Sequence, residues 1–451
     1  MRMTPGRWER IVSEARSLTV LALPVVIDQV GTMSMGVVDT LMVGKLGEQA
    51  LSAVGMSTAV YFFFVVFAYG VITAVTPTVA QAYGRGDAHD IQRSTGQAFW
   101  IALLLCAVGT GVMFYIGPIL HLLEQPADVI PLAERYTHAL SLGMLPNLLY
   151  AVLRSYTTGL GRTRVSMVIA LVASAVNVGT VYTLVYGAFG IEAMGVEGAG
   201  YATAIAQVLM CTLMVLVIRV DRELRSYGVW AGMWPIEPAR IIRLVRLGVP
   251  IGAGNSMEQG VFALTSLLMG QIGKLQQAAH QVAINVAAVT FMISLGISTA
   301  TTTRVGQAIG RGDPRAATLG GWVGVGMAVC VTLCTAGIFI LLPEPIIDLY
   351  VDNKPELFHY AVGLLMIAGA FQLADGMQVA AQGALRGLKD TVRPMIVNLV
   401  AYWVVGLPLG WLLAFRLDMG GHGLWWGLTI GLAVAATLHT LRFRSLTQRM
   451  R

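Results

Sequence analysis

The sequence predicts an all-α integral membrane protein with twelve transmembrane helices in two parallel, pseudo-symmetric six-helix lobes. Three observations predict this fold class: the composition, the recurrence of long apolar runs, and an internal repeat. Of the 451 residues, 56% are hydrophobic and only 12% are charged. In a typical water-soluble protein roughly a quarter of all residues are charged. The chain is therefore expected to lie in a lipid bilayer.

Twelve apolar runs are long enough to cross a membrane. About 20 helical residues span the ~30 Å hydrocarbon core of a bilayer. The runs are continuously apolar, whereas the strands of a membrane barrel alternate in polarity over about ten residues. We therefore predict helices, near residues 17–37, 51–78, 95–118, 132–153, 165–187, 196–218, 244–270, 278–303, 317–342, 357–383, 394–415 and 421–441.

The distribution of basic residues predicts the orientation. Lys and Arg are enriched in the cytoplasmic loops of membrane proteins. Of the 30 basic residues, all but five fall in the two termini and the even-numbered loops; the five are Lys45, Arg135, Lys274, Lys354 and Arg416. Both termini are therefore predicted to be cytoplasmic, with the first apolar run retained as a helix. The net charge of +6 is explained by this topology, and no nucleic-acid binding is expected.

An internal repeat relates the two halves of the chain. Residues 24–87 align with residues 250–313 without a gap, at an offset of 226 residues. The match includes a glycine, Gly70 with Gly296, and the four-residue sequence Gly-Arg-Gly-Asp that ends each segment. With a small shift the alignment continues to Gly159 and Gly387, and in this register Asn147 aligns with Asp375.

Each half is thus expected to contain six helices that begin on the same side of the membrane. Such parallel repeats are a known architecture of secondary transporters, whose sites lie near the bilayer midplane between the halves. We predict an N-terminal lobe over residues 1–225, a cytoplasmic linker over 226–243, and a C-terminal lobe over 244–451. The longest connection, about residues 219–243, is expected to act as the hinge or linker.

Four carboxylates lie inside the apolar runs, where a charge costs at least ~2.5 kcal/mol. Asp28 and Asp39 are eleven residues apart in the first run, which places them on one helix face about 16 Å apart. Asp28 is expected either in a vestibule or in a structural hydrogen bond, and Asp39 either in a cavity or at a helix end. Glu258 and Asp375 are candidates for binding Na⁺ or exchanging a proton.

Other polar and soft residues have more than one interpretation. An alternative interpretation of Glu258 and Asp375 is that they are buried structural acids, hydrogen-bonded to Gln259 or Gln378. Met33 and Met35 are expected either to line a binding cavity that adapts to varied apolar ligands or simply to pack in the helix bundle. The intramembrane histidines, His138 and His280, and the four cysteines are expected to pack rather than to act chemically.

Sequence motifs for enzymatic chemistry are absent. The sequence contains no HExxH, no GxSxG and no P-loop, which are the usual signatures of metalloproteases, serine hydrolases and nucleotide-driven transporters. An enzyme is therefore disfavoured, and no cofactor is expected.

Several segments carry a family resemblance. The segments 35–44, 278–285, 375–379 and 383–390 resemble the multidrug and toxic compound extrusion (MATE) family, in particular its NorM-like bacterial branch. The resemblance covers residues 15–441. It implies a two-lobe, twelve-helix antiporter that exports amphipathic, often cationic compounds in exchange for Na⁺ or H⁺.

The resemblance also implies which residues couple ion movement to transport. They are Asp39, Glu258 and Asp375, together with Asn177 and Thr203 in the first lobe. A sodium ion would be held by Glu258 and Asp375, or by Asp39 and Asn177. Val181 and Phe371 replace polar residues of the family pattern, and Na⁺ prefers several oxygen ligands. These two departures favour H⁺ as the coupling ion.

The sequence therefore predicts a secondary antiporter in the inner membrane of a bacterium, expected to work as a monomer. Three alternatives stay open: a lipid or polysaccharide flippase with a basic cavity, an integral membrane enzyme, and a channel. The candidate cavity residues for a drug are Asp28, Met33, Met35, Asn147, Gln259, Phe371 and Gln378.

Overall fold

The computed structural model describes residues 6–351 and 354–450, so the extreme termini, whose sidedness is predicted above, lie outside the described residues. The described residues form helices and no strands. The helices are α1 (Arg7–Gly44), α2 (Glu48–Thr73), α3 (Val75–Arg85), α4 (Ala88–Phe114), α5 (Ile116–Leu122), α6 (Ile130–Ser141), α7 (Met144–Gly159), α8 (Thr163–Tyr186), α9 (Gly195–Val220), α10 (Arg222–Ser226), α11 (Pro238–Ile272), α12 (Lys274–Gly310), α13 (Pro314–Leu341), α14 (Pro343–Asp348), α15 (Pro355–Gly387), α16 (Val392–Asn398), α17 (Leu407–Phe415) and α18 (Gly420–Arg449).

Every one of the twelve predicted spans corresponds to helix in the structure. Within the described part of the chain, ten helical segments are long and apolar enough to cross a membrane. The other two predicted spans are the α6–α7 pair, which is interrupted at residues 142–143, and α11, which carries more polar side chains. The all-helical membrane fold predicted from the sequence is confirmed.

Local irregularities also occur in other predicted spans. A single residue, Ala74, separates α2 from α3. Between α16 and α17 the chain continues as a π-helix over Leu399–Gly406. Wide turns of this kind are rare and are found frequently at functional sites.

The repeated Gly-Arg-Gly-Asp sequence forms the same turn in both halves. Gly86 and Gly312 adopt left-handed backbone conformations, with φ of 72° and 70°, which glycine reaches without steric strain. The next residue caps the following helix: Asp87 accepts from the Asp90 amide at 2.9 Å, and Asp313 accepts from the Ala316 amide at 2.9 Å. The repeat is therefore preserved at the level of backbone geometry.

The chain folds into two compact units. The N-unit comprises residues 27–252, and the C-unit comprises residues 1–26 and 253–451. The helices α1 and α11 are therefore each divided between the units. Pro24 and Pro250, which align in the repeat, lie just before these divisions and inside the helices, where proline removes a backbone hydrogen bond. The lobe boundaries 1–225, 226–243 and 244–451 stay a prediction.

The glycines that align in the repeat lie where helices approach closely. In the N-unit, a Cβ atom on Gly70 would lie 2.3 Å from the Cα atom of Gly252. In the C-unit, a Cβ atom on Gly296 would lie 2.4 Å from the Cγ2 atom of Val26. Residues 26 and 252 are themselves equivalent in the repeat. Because lipid supplies little hydrophobic drive for helix association, such close backbone packing is a main source of stability.

The connection between the halves is fixed on α4. Arg93 forms an ion pair with Glu237 and donates to the carbonyl oxygens of Trp234 and Pro235, at 2.6 Å and 2.7 Å. Gln97 accepts from the Glu237 amide at 2.8 Å. The indole of Trp230 stacks on a phenylalanine ring of α4 with centroids 5.3 Å apart. Residues 228–237 of the predicted linker are therefore an ordered part of the N-unit.

Candidate functional site

The N-unit places Asp39 between α8 and α9. Its side chain is only 6% exposed, and the Thr203 hydroxyl donates to its Oδ2 atom at 2.7 Å. Asn177, which is fully buried, lies beside the same carboxylate. The Oδ1 atom of Asp39 and both polar atoms of the Asn177 side chain make no hydrogen bond of ordinary geometry, although Asn177 is close enough to stabilise the carboxylate. The structure thus brings together the three residues that the family resemblance implies for this lobe.

Three unsatisfied polar atoms in one buried place are unusual, because most buried polar groups are hydrogen-bonded. A proton on Asp39 would turn Oδ1 into a donor, and the Asn177 carbonyl oxygen is a suitable acceptor. A sodium ion would find oxygen ligands from Asp39, Asn177 and Thr203, which is a small set for that ion. The three side chains thus offer an acceptor for a proton and oxygen ligands for a small cation.

A second group of buried polar side chains lies in the same unit. Asn147 accepts from the Tyr69 hydroxyl at 2.5 Å and donates to the Tyr61 oxygen at 3.1 Å. Gln207 also donates to the Tyr61 oxygen, at 3.0 Å. Tyr136 interacts electrostatically with both Tyr61 and Asp39. Asn147, a candidate cavity residue, thus has its amide engaged in a network inside the N-unit.

Asp28 is paired with a basic residue. Its side chain is 1% exposed and forms an ion pair with Arg154 of α7. Arg154 also donates to Oε1 of Gln29 at 2.7 Å, and Tyr150 lies beside the carboxylate. Asp28 is therefore paired by charge within the N-unit, while neither of its carboxylate oxygens makes a hydrogen bond of ordinary geometry.

The C-unit holds Glu258 on α11 and Asp375 on α15. The two carboxylates interact electrostatically with each other, and Glu258 interacts also with Arg386. Arg386 donates to Oδ1 of Asn255 at 2.9 Å and to Oε1 of Gln382 at 2.7 Å. This unit therefore contains two acids and one guanidinium group.

The π-helical stretch contributes to the same region. Its Tyr402 is 2% exposed and interacts electrostatically with Glu258 and Asp375. Gln378 donates to the Tyr402 oxygen at 2.9 Å, so its amide nitrogen is engaged with the tyrosine and not with the acids. The interpretation in which Gln378 satisfies the acids is therefore not the arrangement seen.

The remaining candidate cavity residues differ in exposure. Met35 and Phe371 are buried, whereas Met33 and Gln259 are partly exposed. Phe371 packs edge-on against the indole of Trp425, with ring centroids 5.6 Å apart. A contact between any of these residues and a drug stays a prediction.

The structure also locates the two intramembrane histidines. His280 is buried and accepts from the Trp425 indole at 3.2 Å, while His138 is exposed and lies 5.0 Å from the Phe114 ring. Among residues 6–351 and 354–450, no group of three or more His, Cys, Asp or Glu side chains is placed to hold a metal ion. Any cation site here would depend on hydroxyl and amide oxygens as well as carboxylates.

Sequence reasoning missed Arg154 and Arg386. Both follow closely after apolar runs, at 132–153 and 357–383, and the positive-inside rule accounts for such residues as loop positions. In the structure they lie within α7 and α15 and contact buried groups. The signal that could have found them is the repeat, because Arg154 aligns with Gln382, one helical turn before Arg386.

Comparisons with known proteins identify the family. The sequence profile of the MatE family matches residues 24–183 and again 250–412, with starts that differ by the offset of the internal repeat. The chain is 37% identical over 450 residues to a probable multidrug resistance protein NorM of Agrobacterium fabrum, covering 98% of this chain and 96% of the relative. It is 38% identical to the protein of the same name from Rhizobium meliloti, covering 96% and 94% of the two chains.

Solved structures show the same fold. A MATE transporter from Vibrio cholerae superimposes with a TM-score of 0.90 at 16% identity, covering 98% of both chains. A MOP superfamily transporter from Pyrococcus furiosus gives a TM-score of 0.86 at 19% identity, covering 97% of this chain and 96% of that one. On the profile match, the near full-length relatives and the shared fold, the chain is a multi-pass membrane transporter that belongs to the MatE family.

Proposed function

We propose that this chain is a secondary antiporter that exports amphipathic, often cationic compounds from a bacterial cell in exchange for an entering H⁺ or Na⁺. The observation that carries the proposal is the unsatisfied, buried Asp39–Asn177 pair. A buried carboxylate without a cationic partner is costly, and it is stabilised whenever a cation binds. The printed names of the relatives, probable multidrug resistance proteins, support the substrate class.

The coupling follows from competition for negative charge. With Asp39 ionised in the N-unit and the Glu258–Asp375 pair ionised in the C-unit, each acidic group attracts a cationic drug. Binding of H⁺ or Na⁺ neutralises these groups and removes that attraction, so the drug is released outside. Each ligand favours the conformation to which it binds more tightly, and alternation between the two conformations exchanges one ligand for the other.

We propose H⁺ rather than Na⁺ as the coupling ion. The oxygen ligands around Asp39 are few, and Val181 adds none. In the C-unit, Phe371 is engaged with the Trp425 ring and supplies no hydroxyl group near Asp375. A proton needs one acceptor and one hydrogen-bond partner, whereas Na⁺ is held by several oxygen atoms.

The proposal is tested by charge-neutral variants of the acids. Asp39→Asn and Asp375→Asn are expected to accumulate in the membrane and to lose gradient-driven export of a fluorescent cationic dye. Asp348→Asn is the control, because this carboxylate is exposed at the end of α14. Wild-type export by either intramembrane variant would show that the acid in question has no coupling role.

Location and assembly are part of the same proposal. We place the protein in the bacterial inner membrane as a monomer, with both termini in the cytoplasm, because all but five basic residues fall on that predicted side. A fluorescent protein fused after Arg451 is expected to fluoresce, as it would in the cytoplasm. A periplasmic enzyme reporter that is active at the same position would contradict this orientation.

The flippase alternative is less well supported. Recognition of an anionic headgroup needs basic groups that are free to bind it. Two arginines near the intramembrane acids, Arg154 and Arg386, are engaged with Asp28 and Glu258 or with neighbouring amides. Transport of a lipid-linked anion by the purified protein, without any dye export, would favour the flippase.

A further inference from the structure

We propose that Arg154 and Arg386 are resident counterions. Each neutralises one of two intramembrane carboxylates in its own unit, so that each unit keeps one uncompensated negative charge and takes up one monovalent cation per cycle. This inference rests on the proposed cation-coupled antiport. It adds that the number of cations taken up by each unit is determined by its net intramembrane charge, and that Arg154 and Arg386 determine that charge.

The N-unit contains two buried acids with different partners. Asp28 is ion-paired with Arg154, which is itself held by Gln29. Asp39 contacts only neutral groups, the Thr203 hydroxyl and the Asn177 side chain. A buried ion pair keeps both of its members charged, because neutralising either one would leave the other unpaired. Asp39 is therefore the one acid in this unit whose charge an incoming cation can cancel.

The C-unit reaches the same balance with different residues. Arg386 donates to Asn255, which lies one helical turn before Glu258 on α11, and it interacts electrostatically with Glu258. Glu258 in turn interacts electrostatically with Asp375. Two carboxylates and one guanidinium group leave one negative charge. Two other ion pairs of the C-unit, Arg304 with Glu14 and Arg442 with Asp390, are each internally neutral.

The internal repeat shows that the two arginines are held in the same way. Gln29 and Asn255 occupy equivalent positions at the offset of 226 residues. Their side-chain oxygens accept from Arg154 at 2.7 Å and from Arg386 at 2.9 Å. In the alignment of the two halves, Arg154 and Arg386 are one helical turn apart. Each nevertheless donates to the side-chain amide at the equivalent position. The arginine–amide contact is therefore present in both halves although the arginines are not at equivalent positions.

The ion pair and Asp39 are connected within the N-unit. Tyr69 interacts electrostatically with both Asp28 and Arg154, and it is hydrogen-bonded to Asn147, which is bonded in turn to Tyr61. Tyr136 interacts electrostatically with both Tyr61 and Asp39. Charges in a low-dielectric interior interact over longer distances than in water. A change in charge at Asp28 or Arg154 is therefore expected to alter cation binding at Asp39.

The test measures the number of cations that move per dye molecule. Purified protein in liposomes is given a dye gradient and an opposing cation gradient, with the membrane voltage clamped by K⁺ and valinomycin, and the gradient at which net dye flux stops gives the ratio. Arg154→Gln leaves two uncompensated acids in the N-unit, so we expect the ratio to rise by one. Asp28→Asn leaves Arg154 to balance Asp39, so we expect the ratio to fall by one.

The double variant separates charge balance from simple structural support. Asp28→Asn combined with Arg154→Gln again leaves one negative charge, and we expect it to accumulate and to restore the wild-type ratio. Arg386→Gln tests the C-unit, where the ratio is expected to rise by one. Arg162→Gln is the control, because its ion pair with Glu223 is solvent-exposed and its loss should leave the ratio unchanged.

The possible outcomes are distinct. Single variants that accumulate and keep the wild-type ratio would overturn the proposal, and so would a double variant that fails to accumulate or to transport. If single variants are lost from the membrane while the double variant is normal in amount and ratio, the requirement for charge balance is supported. Failure of the antiport function itself would be seen separately, as a wild-type protein whose dye flux responds to no cation gradient.

Discussion

Asn177 is the residue whose side chain is most poorly satisfied near Asp39. Neither of its polar atoms has a hydrogen-bond partner, and it is fully buried. Its amide is therefore available to the coupling cation, as an oxygen ligand for Na⁺ or as an acceptor for a protonated carboxyl group. A side chain held unsatisfied in this way is better explained by ligand binding than by stability, because burial without a partner is destabilising.

Asn177→Ala is expected to weaken binding of the coupling cation without unfolding the protein. A lost hydrogen bond of about 1.4 kcal/mol corresponds to about a tenfold rise in the cation concentration that half-saturates dye export. Thr180→Val on the same helix is the control, since Thr180 is partly exposed and its hydroxyl donates to the Val176 carbonyl of its own helix. An unchanged half-saturation in Asn177→Ala would exclude Asn177 from the cation site.

The sequence was informative about the acids and uninformative about their counterions. Asp39, Glu258 and Asp375 stand out because a carboxylate in an apolar run needs a physical reason. Arg154 and Arg386 do not stand out, because each lies just past an apolar run, where a basic residue is expected for topological reasons. Only the tertiary contacts of α7 and α15 show that they reach buried groups.

At the scale of helices, packing in the N-unit depends on the absence of a side chain at Gly70. A Cβ atom there would overlap the Gly252 backbone at 2.3 Å. We expect Gly70→Ala to destabilise the protein by about 1 to 3 kcal/mol, the usual range for overpacking, measured as a lower midpoint of thermal unfolding in detergent.

Gly55→Ala is the matched control on α2. Nothing lies within 4 Å of the position that its Cβ atom would occupy, and alanine favours a helix interior over glycine by roughly 0.5 to 1 kcal/mol. Its unfolding midpoint should be unchanged or higher. Equal effects of the two substitutions would contradict the close approach of α2 and α11.

The ordered connection on α4 is expected to loosen in acid. Hydrogen bonds from Arg240 and then Arg93 lower the pKa of Glu237 from its ordinary value of 4.5. A group with a lowered pKa stabilises the fold above its unfolded-state pKa, and that contribution is lost as the pH falls through the folded-state value. The attachment of residues 228–237 should therefore weaken below about pH 4.5.

Hydrogen exchange of residues 228–237 measures this effect. At neutral pH the Glu237→Gln variant is expected to exchange faster than the wild type, and the two should converge as the pH falls below about 4.5. Because the two proteins are compared at the same pH, the intrinsic pH dependence of amide hydrogen exchange cancels. A difference between the two proteins that persists at low pH would show that the carboxylate charge does not hold the connection.

Helix positions were predictable from hydropathy, while their interruptions were not. A run of apolar residues satisfies the length requirement whether or not it is broken in the middle. The gap at residues 142–143 and the π-helix at Leu399–Gly406 change the local backbone geometry without changing the apolar character of the run, so hydropathy does not report them. In α11 the helix is continuous, but polar residues such as Asn255, Glu258 and Gln259 lie within the predicted span. Low hydropathy therefore does not indicate an interruption of the helix there.

For the whole molecule, the internal repeat predicted the architecture well. The offset of 226 residues between Pro24 and Pro250 recurs in the two matches of the family profile and in the equivalent turns of both halves. The repeat did not predict that α1 and α11 would each be divided between two compact units. Chain order alone cannot show this, because each helix is continuous in sequence across the division.

The most direct test of the account is export of a fluorescent cationic dye by the purified protein in liposomes, under an imposed pH gradient and, separately, an imposed Na⁺ gradient. The account predicts that the pH gradient drives dye movement in the wild type and that Asp39→Asn abolishes it. Dye movement that follows the Na⁺ gradient alone would contradict the choice of H⁺. No response to either gradient would contradict cation-coupled antiport itself.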